Sequence, residues 1–252
     1  MHRRTFVSAL GGLGLARAAA SEKRTNFYCI EHYNLKSGHQ PQRLSDFAAE
    51  ILPAISRVHS GPKIYLEALV APQVPRFTAI AGFSSLQELW DVNVKVLEDE
   101  TVRKASAAVE NGTEPAYESL DSLILQATDY SPEIKLEATT PSRIFELRVY
   151  KSPTWRQLDA LHERFRGPEI KIFHRSGIHP ILYGSTFIGP HQPNLVYLIP
   201  FADLAAREKA WATFGADPDW KKVRDESVAK SGEIVSDIQI SFYRPTSYSP
   251  VR

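Results

Sequence analysis

Cysteine is nearly absent from this sequence: Cys29 is the only one in 252 residues. That excludes an intramolecular disulfide and any cysteine-rich metal site, so stability must come from packing. An excess of charge of either sign is missing too, with 30 Lys and Arg against 29 Asp and Glu. Overall charge therefore gives no reason to expect nucleic acid or an anionic membrane surface as the main partner. There is no G-x-G-x-x-G, no P-loop and no G-x-S-x-G, and His174 and His179 do not have the H-x-x-x-H spacing of a zinc helix. Dinucleotide, nucleotide and serine-hydrolase chemistry lose their usual support, and neither a metal nor a cofactor is expected. What is present, 43% hydrophobic and 23% charged residues, is the balance of a globular protein with material for one large core or two small ones.

The first twenty residues differ in kind from the rest. Arg3-Arg4-Thr5-Phe6-Val7 opens a small and apolar run to Ala16, and Arg17-Ala18-Ala19-Ala20 precedes a charged stretch. A basic start, an h-region of roughly ten residues and an A-x-A-like end read as a bacterial signal peptide, of twin-arginine type from its paired arginines. The apolar run is shorter than the roughly 20 residues of a membrane span. The expectation is a cleaved signal at 1–20 and a periplasmic or extracellular protein with no membrane span of its own. Removal of Arg3, Arg4 and Arg17 leaves 27 basic residues against 29 acidic.

The mature sequence repeats. Phe27–Tyr33 matches Ile144–Tyr150 at an offset of 117, Phe83 and Leu86 match Phe201 and Leu204 at 118, and Thr128-Asp129-Tyr130-Ser131-Pro132 recurs as Thr246-Ser247-Tyr248-Ser249-Pro250 at 118. Matches that keep this order over about a hundred residues mark a duplication. The copies are placed at 25–133 and 144–252, joined by a Thr- and Pro-bearing linker at 134–143.

In the second copy, Ile144–Tyr150 reads as a strand, and Trp155, Leu158, Leu161, His162 and Phe165 mark the inner face of a helix. Strands at Ile181–Ile188 and Leu195–Phe201 form a hairpin around the turn cluster 189–194. Asp203 caps a helix that breaks at Gly215, Pro218 opens a further helix to about Lys230, and Ile234–Tyr243 closes the unit. The order β-α-β-β-α-β is that of a ferredoxin-like split βαβ unit, an antiparallel sheet with its helices on one face. The fold class is α+β, with two tandem units burying their open sheet faces against each other as an intramolecular α/β barrel.

Phe145-Glu146-Leu147-Arg148-Val149-Tyr150, His174-Arg175-Ser176-Gly177-Ile178 and Asp217-Pro218-Asp219-Trp220 resemble the opening strand, helix end and second-helix start of the NIPSNAP family. The resemblance covers roughly 144–244, and it implies tandem or single ferredoxin-like units of the dimeric α/β barrel group. It implies fold more than function, because that group hosts binders, isomerases, monooxygenases and haem-degrading enzymes, and fold does not specify a site. The first copy departs from the pattern, with Cys29 and Glu31 where the second has Glu146 and Arg148, and Val102 in place of Trp220.

By two-residue alternation Glu146, Arg148 and Tyr150 share one strand face, and Phe145, Leu147 and Val149 the other. The apolar set is expected against the helices, which sends the polar set to the inter-sheet interior. There it is either a Glu–Arg pair that fixes sheet register or a catalytic trio: Arg148 clamping an oxygen, Glu146 as base and Tyr150 as donor. His59 and His174 fall at equivalent helix ends, where an imidazolium meets the helix dipole favourably. His174 joins the catalytic candidates. His59, His162, His179 and Tyr183 are the candidates for ligand binding. Trp155, Trp211 and Trp220 read as core anchors, and Lys221, Lys222 and Arg224 as a solvated face. Three functions remain open: a binder of a small, partly apolar molecule, a cofactor-independent oxygenase or isomerase, and an assembly module. The chain is expected as a monomer or homodimer. The sequence places the search for a site in the second copy, with the first as its structural partner.

Overall fold

The computed structural model describes residues 24–112 and 114–252; the expected signal peptide lies outside them. The first half runs β1 (Phe27–Asn34), α1 (Gln40–Val58), β2 (Lys63–Val70), β3 (Arg76–Phe83), α2 (Leu86–Glu98), α3 (Glu100–Glu110) and β4 (Ser119–Ala127). The second runs β5 (Ile144–Lys151), α4 (Trp155–Arg164), α5 (Ile170–Arg175), β6 (Leu182–Ile188), β7 (Asn194–Phe201), α6 (Leu204–Ala216), α7 (Pro218–Ser231) and β8 (Asp237–Pro245). The expected duplication is present element by element. Expected strand two begins one residue later, at Leu182, and strand four begins at Asp237, because Ile234 is buried ahead of the strand. The helix after Asp203 runs past Gly215 and stops at Asp217, whose side chain caps α7 by accepting from the Asp219 and Trp220 amides.

Every strand pairing is antiparallel, and the order β1-β3-β2-β8-β5-β7-β6-β4 closes on itself. Each half contributes a four-stranded sheet, and the sheets join edge to edge where β4 meets β6 and β2 meets β8. Closure leaves no unpaired edge, the general hazard of open sheets. Tyr28, Ile30, Ile64, Leu66, Ile80, Leu125, Phe145, Leu147, Leu182, Val196, Leu198 and Tyr243 fill the interior. The helices lie outside, each set over its own sheet.

This places strand one of the second half the other way round from expectation. Phe145, Leu147 and Val149 point into the barrel, and Glu146, Arg148 and Tyr150 point out under the helices. The barrel centre is filled by apolar side chains from all eight strands, with His32, Arg76 and Asp121 gathered at one mouth, so placing the Glu146 and Arg148 charges at that centre would cost their hydration.

The repeated Thr-x-Tyr-Ser-Pro segments lock the halves together. After β4, Thr128 N donates to Tyr183 O, and Ser131 Oγ accepts from Tyr183 N at 3.0 Å. After β8, Thr246 N donates to Tyr65 O, and Ser249 Oγ accepts from Tyr65 N at 3.0 Å. Each half thus ends on the second strand of the other, and Ile134 and Val251 follow into the barrel core.

Trp155 is 58% exposed at the start of α4 rather than in the core. Trp211 and Trp220 pack against the second-half cluster as expected. Pro168 cannot supply the amide an α-helix needs, and helix one of the second half kinks at Gly167, between α4 and α5, while Pro53 is carried inside continuous α1.

Candidate functional site

Two clefts lie between sheet and helices, one per half, related by the internal repeat. In the second, Glu146 is 0% exposed. Its carboxylate accepts from Arg148 Nη1 at 2.8 Å, Arg207 Nε at 2.9 Å and Nη2 at 3.1 Å, and Trp211 Nε1 at 3.0 Å. The Arg148 guanidinium lies 4.0 Å from the Trp211 ring centroid. Four donors on two oxygens take up the acceptor capacity of the Glu146 carboxylate. Tyr150 packs edge-on against Tyr197, and Tyr183 against Tyr130, Phe165 and Tyr197. Beneath them Glu169, buried with its carboxyl pKa raised by desolvation, receives Arg164 Nε at 2.7 Å. The spacing of Glu146, Arg148 and Tyr150 was visible in sequence; of the two α6 residues that complete the group, Trp211 read only as a core anchor and Arg207 carried no sequence signal.

The histidines divide. His162 has both ring nitrogens engaged, Nδ1 with Tyr130 Oη at 2.7 Å and Nε2 with Ser185 Oγ at 2.9 Å. It anchors the Tyr130 latch, as Ser45 meets Tyr248 at 3.1 Å in the first half. His174 and His179 stack with centroids 5.0 Å apart on the surface, and desolvation followed by the charge of His179 lowers the His174 pKa.

His59 does not cap α1 as an imidazolium. It is 2% exposed and stacks on Phe83 at 4.4 Å, and burial, then the Lys63 charge, lowers its pKa to about 4. Neither ring nitrogen has a partner at bonding geometry, although the Gly82 carbonyl lies near enough to favour protonation slightly. Gly61 is required beneath it, since a Cβ there would fall 2.2 Å from Gly82 O and 2.5 Å from the imidazole.

His59 lines a cavity of about 160 Å³ in the first-half cleft, walled by Phe47, Ile51, Ile55, Phe77, Val92 and Val96. Cys29, Glu31, Tyr33, Lys63 and Asn93 supply its polar groups. Comparison of the halves explains why the space is here. Ala79 and Ala81 stand on β3 where β7 has Tyr197 and Ile199, and Leu89, Asn93 and Val96 stand on α2 where α6 has Arg207, Trp211 and Phe214. Each replacement shortens the side chain. Tyr33 Oη donates to Glu31 Oε2 at 2.8 Å, and burial pushes the Cys29 thiol up to about 12, which leaves it un-ionised and a poor nucleophile. Lys63 Nζ donates to the carbonyls of His59 and Gly61, both at 2.8 Å, with its proton affinity lowered by burial. Among the described residues no group of three His, Cys, Asp or Glu could hold a metal ion, and no helix is long and apolar enough to cross a membrane.

An eight-stranded antiparallel barrel built from two ferredoxin-like halves, each with a sheet–helix cleft, defines the dimeric α/β barrel class, here within one chain. Its second half, residues 145–250, matches the NIPSNAP family model. Among solved structures, the chain is similar to a candidate monooxygenase from Fusobacterium nucleatum (TM-score 0.58, 8% identity, covering 88% of this chain and 92% of that one). It is also similar to one from Lactobacillus acidophilus (0.55, 9%, 88% and 94%). A NIPSNAP-like domain protein from Burkholderia xenovorans is 27% identical over 43% of this chain and 90% of its own, with a TM-score of 0.37. No curated protein sequence matches the chain.

Proposed function

We propose that this protein binds a small, largely apolar molecule, and that it does so in the first-half cleft. The observation that carries the reading is the cavity of about 160 Å³ opened by Ala79 and Ala81. An engineered apolar cavity of roughly 150 Å³ takes up benzene, so one aromatic ring or a branched chain of similar bulk is the scale of ligand that fits. Convergent polar side chains in a mostly apolar concavity are the usual make-up of a small-molecule site. The second-half cleft, occupied by its own Arg148–Trp211 stack, serves as the rigid support.

The test is titration of the protein with benzene and with toluene, followed by the methyl and amide signals of the first half. Saturable shifts confined to cavity residues support the reading; their absence for both overturns it. The names of the barrel relatives make oxygen uptake in the presence of a bound aromatic the assay that would extend binding to catalysis. We further propose export through the N-terminal segment, which N-terminal sequencing of secreted material tests: a start at Met1 contradicts it.

A further inference from the structure

We infer that the first-half cavity selects an aromatic hydroxy acid, with Lys63 receiving the carboxylate and Glu31 the hydroxyl. This rests on the cavity being the binding site, and it goes further by assigning the ends of the ligand.

The cavity holds one buried cation and one carboxylate that do not pair. Among the described residues Lys63 has no carboxylate, and Glu31 no cation, within 4.0 Å. Glu146, at the neighbouring position of the other repeat, is in contrast satisfied by two arginines and a tryptophan. The sheet register keeps Lys63 and Glu31 apart. Glu31 sits opposite Ala79 and Lys63 opposite Ala81, on the two strands that flank β3. Strand spacing and rise place their Cα atoms roughly 12 Å apart, at opposite corners of a patch whose floor is the two alanines. A ring lying over Ala79 and Ala81, between Phe77 and Phe83, can reach both corners with its substituents.

Each corner has unused capacity. The ammonium of Lys63 spends two of its three N–H groups on the His59 and Gly61 carbonyls. Beside it the His59 ring nitrogens are buried and lack partners, a state that a ligand oxygen would relieve. Glu31 Oε2 accepts from Tyr33, and Oε1 makes no hydrogen bond among the described residues. Charge-assisted hydrogen bonds at both ends would add to the apolar contact of the ring.

The experiment is calorimetric or NMR titration of the full chain with benzene, phenol, benzoate and para-hydroxybenzoate. The expected order is para-hydroxybenzoate tightest, phenol and benzoate intermediate, and benzene weakest, with about tenfold for each polar end. Lys63→Met should erase the advantage of benzoate over benzene, and Glu31→Gln should reduce that of phenol severalfold. If benzene binds and the polar probes bind no more tightly, this assignment falls while the cavity stands. If none of the four binds, the cavity reading itself falls. Lys63 also ties down the chain after α1, so Lys63→Met could fail to fold; the ranking of benzoate against benzene in the unaltered protein then decides.

Discussion

A pair of alanines separates the two clefts of this molecule. Ala81→Leu, or Ala79→Phe, should occupy the space that Ile199 and Tyr197 fill in the other half. Overpacking is costly only where no room exists, so the thermal midpoint is expected to hold or rise while probe binding disappears, read by a melt and a titration on the same sample. Glu146→Gln is expected to behave oppositely. It leaves Arg148 and Arg207 without their anion under the helices, and breaking a buried pair costs about 3–5 kcal/mol, measurable by urea unfolding. Neutral histidines add a pH dependence. His59, and His32 in the polar mouth of the barrel, both have pKa lowered to about 4, in each case first by burial and then by a neighbouring cation, Lys63 or Arg76, with Glu88 and Asp121 opposing. The unfolded chain, with histidine near 6.5, binds the proton first as pH falls. Stability should therefore be full above about pH 6.5, decline toward pH 4 and level off below. Substituting His59 should flatten that decline in acid-unfolding curves.

At the scale of elements, the repeated Thr-x-Tyr-Ser-Pro segment is the most informative case. It was the plainest match in the duplication, and nothing local betrays its task. Only when β4 and β8 cross to the opposite half do Ser131 and Ser249 reach the Tyr183 and Tyr65 amides. Ser249→Ala removes the acceptor of a buried amide and should cost about 1–3 kcal/mol, with amide exchange accelerated at Tyr65 before the barrel opens globally. Strand one of the second half gives the converse lesson. Alternation correctly sorted its residues into two faces, since period is a local property, but which face meets the helices depends on the chemistry of seven other strands. The cap at Asp203 was legible because an N-cap is satisfied by an amide three residues away.

For the whole molecule, closure of one barrel from two sheets predicts that the halves are not independent. Each sheet has an apolar inner face and two edges that pair only with the other half. A fragment covering 134–252 is expected to associate as a homodimer that rebuilds the eight strands, or to precipitate; a folded monomer in size-exclusion chromatography would contradict this.

By itself the sequence determined the duplication, the order of elements, the fold class and the resemblance of the second half to NIPSNAP proteins. Those properties rest on apolar period, turn residues and capping, which act within a few positions of chain. The tertiary structure decided that the polar strand-one residues lie under the helices, that His162 and His59 serve a latch and a cavity, and that the apolar cavity between sheet and helices belongs to the first half. Space is a difference of volumes among side chains from several elements. Ala79, Ala81 and Asn93 mean little singly, and only the packing of β3 against α2 turns them into a site.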